Sequence, residues 1–147
     1  MSIDDDVALL DRIPTLHLLG SASLRMLAIG SEQRDIPRGD FLFREGHDAD
    51  SGFVVQRGAF RIDNGLGTEV IAHPGTLIGE LALVVPMRRP SNALALESST
   101  VIRIARSLFK RVLESDPEAA RRLRDEFATR SSQIASDILI AGGKLSG

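Results

Sequence analysis

The chain is 147 residues long, with 43% hydrophobic and 26% charged residues, no cysteine and a formal net charge of −2 at pH 7. That composition suits one globular domain, long enough to bury roughly two-thirds of its unfolded surface. It excludes disulfides and thiolate metal sites, offers no general attraction to nucleic acid or anionic lipid, and contains no apolar run near the ~20 residues of a membrane span. The start, Met-Ser-Ile-Asp-Asp-Asp, is acidic where a leader peptide is basic, so the cytosol is the expected compartment.

Residues 1–34 read as an N-terminal helical segment. Val7, Leu9 and Leu10, then Leu16, Leu18 and Leu19, then Leu24, Leu27 and Ala28 recur at helical spacing, and Pro14 and Gly20 divide them into short helices. From 35 to 105 the pattern changes to short β-type runs. Gly39, Gly46, Gly58, Gly75 and Gly79 punctuate them, and Asn64-Gly65 is a hairpin signal. Strands so short and so evenly interrupted predict a small barrel or roll.

Helical spacing returns over 106–141. Ser107 is the expected cap of one helix, and Asp116-Pro117-Glu118 reads as N-cap, first-turn proline and first-turn acid of the next. That last helix is expected from about 117 to 140, with Leu123, Phe127, Ser131, Ile134 and Ile138 along one face; Ala141-Gly142-Gly143 ends it and 142–147 reads as a tail. Its near-straight period makes a poor long coiled coil, so it suits a lid on the chain's own roll or a modest homodimer seam.

The most informative stretch is 78–92. Gly79 opens a single helical turn, Glu80-Leu81-Ala82, and Arg89 stands ten positions after Gly79, followed by Pro90, Ser91 and Asn92. Amide groups at a helix start attract an anion, and an arginine adds a permanently charged planar fork for phosphate oxygens. Glu80, an acceptor when ionised, can take the proton of a ribose hydroxyl. Arg88 reads as a charge on the rim. His17, His47 and His73 lack metal-ligand spacing, there is no nucleophile elbow, and Arg121-Arg122-Leu123-Arg124 reads as the wet face of a helix. No metal site, no cofactor and no enzymatic activity are expected.

Residues 78–92 resemble the phosphate-binding cassette of the cyclic nucleotide-binding domain, the β-roll of catabolite activator proteins and protein kinase A regulatory subunits. Ile36-Pro37-Arg38-Gly39-Asp40-Phe41 through Gly46 is similar to the family's entry into its roll, Phe53-Val54-Val55-Gln56-Arg57-Gly58 to the next strand and turn, and Arg106-Ser107-Leu108-Phe109 to the first C-terminal helix. The resemblance runs from about Leu16 to Phe127. It implies a mainly β fold, a double-stranded β-helix or jelly-roll-like β-roll, with N-terminal helices and two C-terminal helices.

It also implies a ligand, cAMP or cGMP, with phosphate on Gly79, Leu81, Ala82 and Arg89, ribose on Glu80, and base near Ser91, which serves adenine and guanine alike. Phe127 is the candidate lid over the purine. Pro90 departs from the pattern: a small residue usually donates an N–H there, and proline has none, so Ser91 or Asn92 is expected to supply the missing ligand contact. Two functions follow as expectations. One is a sensor that signals to an unknown effector protein by moving its C-terminal helices. The other is a ligand-independent protein-interaction module that keeps the fold. Direct DNA reading is not expected, because a further domain of on the order of 60 residues would be needed.

Overall fold

The computed structural model describes residues 2–63, 67 and 69–129. Helix α1 (Ile3–Asp11) begins under a capping box, the Ser2 hydroxyl accepting from the Asp5 amide at 3.1 Å. Helix α2 (Pro14–His17) starts on proline, and α3 (Ser21–Gly30) follows Gly20, as the dividing residues predict. Among the described residues no helix is long and apolar enough to cross a membrane.

Among the described residues ten strands follow: β1 (Glu32–Ile36), β2 (Phe41–Phe43), β3 (Asp48–Ala49), β4 (Ser51–Arg57), β5 (Phe60–Asp63), β6 (Glu69–Ala72), β7 (Leu77–Ile78), β8 (Met87–Arg88), β9 (Asn92–Ala95) and β10 (Ser99–Ala105). They form two antiparallel sheets, β1-β10-β4-β7 and β2-β9-β5-β6, with β3 and β8 as a small pair between neighbours. Residues 32–34, at the end of the expected helical segment, therefore belong to a strand. β1 is polar and exposed, so hydropathy carries no trace of it, and its pairing with β10 makes it one. Asn64 and Gly65 lie outside the described residues; the strands that flank them, β5 and β6, pair antiparallel from Asp63↔Glu69.

Two cores share the central strands. Phe53 and Val55 of β4 and Val101 of β10 point into the roll with Phe60, Ile78 and Ala95. Val54 of β4 and Ile102 and Ile104 of β10 point the other way, onto Leu16, Leu24, Leu27 and Phe109 of the helices. Alternation along a strand produces this division, and strands covered on both faces read as continuous apolar runs.

β10 runs directly into α4 (Arg106–Ser115), whose N-cap is Ala105 without a side-chain bond. The cap expected at Ser107 is thereby corrected: Arg106 is already helical, its amide donating to the Asp50 carbonyl at 2.8 Å. Asp116 does cap the next helix, α5 (117–129 in the described residues), with Oδ1 accepting from the Ala119 amide at 3.2 Å. Ser131, Ile134, Ile138 and the expected end of this helix lie outside the described residues. The mainly β roll between N-terminal and C-terminal helices is the architecture the cassette's resemblance implies.

Candidate functional site

The turn after β7 is a one-turn 3-10 helix, Glu80–Leu83, whose N-cap Gly79 sits at φ 78. That left-handed backbone is open to glycine without steric cost. Ala82 and Leu83 are buried and anchor the turn, while Leu81 is 51% exposed at its edge and Glu80 is half-buried. The turn is pressed against β4 at Gly52, where an added Cβ would lie 3.2 Å from Leu83.

Arg89 follows β8 and is held by its backbone, its amide donating to the His47 carbonyl at 2.8 Å and its carbonyl accepting from the Gly46 amide at 2.9 Å. Its side chain turns inward and the residue is 5% exposed. Nη2 donates to the Ser51 carbonyl at 2.9 Å and to the Ser51 hydroxyl at 3.3 Å. The guanidinium lies over the Phe43 ring at 4.3 Å and near the Phe53 ring at 5.4 Å. Burial holds its pKa below the ordinary arginine value; Asp50 acts in the opposite sense, and the charges of Arg103 and Arg106 add to the lowering. An arginine so placed stays charged. Among the described residues, its hydrogen bonds reach the neutral atoms of Ser51 and its ring contacts are apolar. Buried charges are ordinarily paired, so a guanidinium in this setting is chemically suited to an anion.

A cavity of about 250 Å³ is lined by this residue and by the Gly79 turn beside it. Its lining combines the Gly79–Ala82 turn, Arg89, Pro90 and the buried Ser91 with the apolar side chains of Phe43, Ile62, Ile78 and Met87. A mostly apolar lining with a few polar groups suits a phosphate joined to a flat heterocycle. A larger, more open hollow of about 510 Å³ lies between β10 and α4, near Arg103, Arg106 and Lys110. Arg103 is already bound to Asp50 at 3.2 Å and Arg106 to backbone carbonyls, so the smaller cavity is the better site.

Two predicted residues fall elsewhere. Asn92 starts β9, and its Oδ1 accepts from the Glu45 amide at 2.8 Å, which joins the β2–β3 loop to β9. Phe127 lies in a groove with Val84, Leu113, Ala120 and Leu123, on the helical side of the molecule and not over the cavity. Arg88 is exposed, its side chain 79% accessible and its Nε 4.0 Å from Asp48.

Sequence reasoning did not single out Ser51, Phe43, Ile62 or Met87 as site residues. Ser51, Phe43 and Ile62 reach the cavity or Arg89 through the folding of distant strands, with nothing local to mark them, whereas Met87 lies inside the 78–92 stretch. It also missed two links outward from the turn. Oε1 of Glu80 accepts from the Thr15 hydroxyl of α2 at 2.9 Å. Arg106, the first residue of α4, donates Nε to the Ala82 carbonyl at 2.8 Å and Nη2 to the Ala49 carbonyl.

A roll carrying a glycine-opened turn against an inward arginine is the arrangement for which the comparison with known proteins identifies a family. The profile of the cyclic nucleotide-binding domain matches residues 33–116, and the chain belongs to that family. It is 33% identical over 110 residues to the uncharacterized NTE family protein Rv2565 of Mycobacterium tuberculosis, covering 74% of this chain and 19% of that protein. It is 30% identical over 95 residues to the cAMP-dependent protein kinase type II regulatory subunit of Drosophila melanogaster, covering 64% of this chain and 25% of the subunit. Among solved structures, the N-terminal domain of a transcriptional regulator from Streptomyces coelicolor superposes with a TM-score of 0.79 at 27% identity, over 88% of this chain and 94% of that one. The chain thus spans a quarter or less of the length of these two curated relatives.

Proposed function

We propose that the cavity beside Gly79 receives a cyclic nucleotide, cAMP or cGMP, and that the domain is a receptor and not a catalyst. The observation that carries this reading is the buried Arg89 guanidinium, whose side-chain hydrogen bonds among the described residues go to Ser51 and which lines a cavity together with a helix start. The cyclic phosphate lies between Arg89 and the Gly79–Ala82 turn, the ribose reaches Glu80, and the base lies along Ile62, Met87 and Ser91. The fly relative, cAMP-dependent by name, supports the choice of ligand class.

The output is a movement of the C-terminal helices, passed to an effector protein. The turn that meets the phosphate is bonded through the Ala82 carbonyl to Arg106 at the start of α4, so displacement of one is felt by the other. The shift is bounded by the ligand's preference for one arrangement over the other.

A second reading, an interaction module without ligand, is favoured by Pro90. It occupies the cavity wall and has no N–H to offer, a loss worth roughly 0.5–3 kcal/mol depending on the charge of the acceptor. Calorimetric titration of the purified chain with cAMP and cGMP separates the two. The receptor reading expects saturable one-to-one uptake, which Arg89→Ala weakens by ~2–5 kcal/mol. Silence with both nucleotides up to millimolar concentration gives the case to the interaction module.

A further inference from the structure

The acid expected to meet the ribose is already held by another part of the chain. Glu80 lines the cavity, and its Oε1 accepts the 2.9 Å bond from Oγ1 of Thr15. Thr15 lies in α2 and is 5% exposed. The same short helix makes a second polar contact at its other end: the carbonyl of Leu18, its C-cap, accepts from Nε of Arg122 in α5 at 2.8 Å. α2 therefore touches the cavity acid with one residue and the C-terminal helix with another, three positions on.

A buried threonine hydroxyl is costly unless bonded, and a carboxylate is a favourable acceptor for it. A carboxylate accepts at two oxygens through about four lone-pair sites, so a bond to Thr15 orients the group without exhausting it. A donated hydroxyl at Oε1 narrows the rotamers open to Glu80, which is what a ligand hydroxyl arriving from the cavity requires. Because four residues of helix move as one piece, an altered Glu80 is registered at Leu18 as well.

We infer that Thr15 is a positioning residue: it aims Glu80 at the ribose 2′-hydroxyl of the bound nucleotide and, through α2, links occupancy of the cavity to α5 at Arg122. This rests on the cyclic nucleotide reading above. It adds a residue from the N-terminal helices to the site, and a route to the C-terminal helix besides the one through Arg106.

The test is calorimetry of wild type, Thr15→Val and Thr15→Ser with cAMP, cGMP and their 2′-deoxy analogues, together with amide exchange over residues 117–129. Thr15→Val is expected to weaken binding of the ribonucleotide about tenfold and of its 2′-deoxy analogue less than about twofold, the loss of one charge-assisted hydrogen bond. Thr15→Ser restores the wild-type preference. Nucleotide slows exchange in 117–129 of wild type and of Thr15→Ser, but not of Thr15→Val. Equal losses for the two ligands, as a merely structural threonine gives, or no loss at all, overturn the inference while leaving the receptor standing. A wild type that takes up neither nucleotide removes the receptor reading, and this inference with it.

Discussion

A Cβ placed on Gly79 would stand 2.6 Å from Nη1 of Arg89, closer than any carbon and nitrogen can rest. The two residues are thus packed against each other, and the absence of a side chain at one makes room for the charge of the other. The φ of 78 at Gly79 adds a second reason, because an L-residue in that region costs about 1–2 kcal/mol.

Gly79→Ala should therefore act on both stability and binding. Strain alone lowers the melting temperature by roughly 2–8 °C for a chain of this size. The displaced guanidinium should also lower nucleotide affinity by more than about tenfold, the scale of a charged hydrogen bond lost. Thermal melts and calorimetry on the same preparation check the two effects, and a variant that binds as wild type does would show that the guanidinium can move without loss.

Asp50 tunes the same site from outside. Burial pushes its carboxyl up, but the Ser51 hydroxyl and the charge and hydrogen bond of Arg103 outweigh that and hold it below its ordinary value of 3.8. A carboxyl depressed in the folded chain contributes stability above the unfolded value, and loses it as pH falls through the folded one. The side chain is 72% exposed, so the contribution is under about 1 kcal/mol. Asp50→Asn should flatten the decline in stability below about pH 4, measured by urea unfolding. It also removes the negative charge that acts on Arg89. At neutral pH it should tighten nucleotide binding by about two- to threefold at low salt, an effect that fades as added salt shortens the screening length.

Asp116 offers a control remote from the cavity. Its Oδ1 caps α5 through the Ala119 amide, and Oδ2 accepts from Ser23 at 3.4 Å. Asp116→Ala should cost about 1 kcal/mol, or roughly 2–4 °C in melting temperature. Nucleotide affinity should fall by less than about fivefold, since the cap meets the cavity only through the link of α5 to α2 at Arg122 and Leu18. A large loss of affinity here would mean that α5 supports the cavity more directly than its contacts indicate.

What could be read from the sequence was local. Gly39, Gly46, Gly58, Gly75 and Gly79 all adopt positive φ, and a glycine between apolar runs announces that turn whatever lies around it. Asp116-Pro117 announces a helix start in the same way, because cap, proline and helix lie within a few residues. Gly79 and Arg89, ten positions apart, could be paired by spacing and by resemblance, since both flank one short excursion from the roll.

Only the tertiary structure decided the rest. Phe43 meets Arg89 because β2 pairs with β9, and Ser51 does so because β3 and β8 bring the chain on either side of the cassette together. Thr15 reaches Glu80 across 65 positions, and Asn92 is taken by Glu45 and so turned to the loop. Phe127, read as a lid, packs on Leu113 and Leu123, because an amphipathic stripe states that it will be covered and not by what. Turn and cap chemistry acts between neighbours and so is written in order along the chain; register and burial act between residues that only folding makes neighbours.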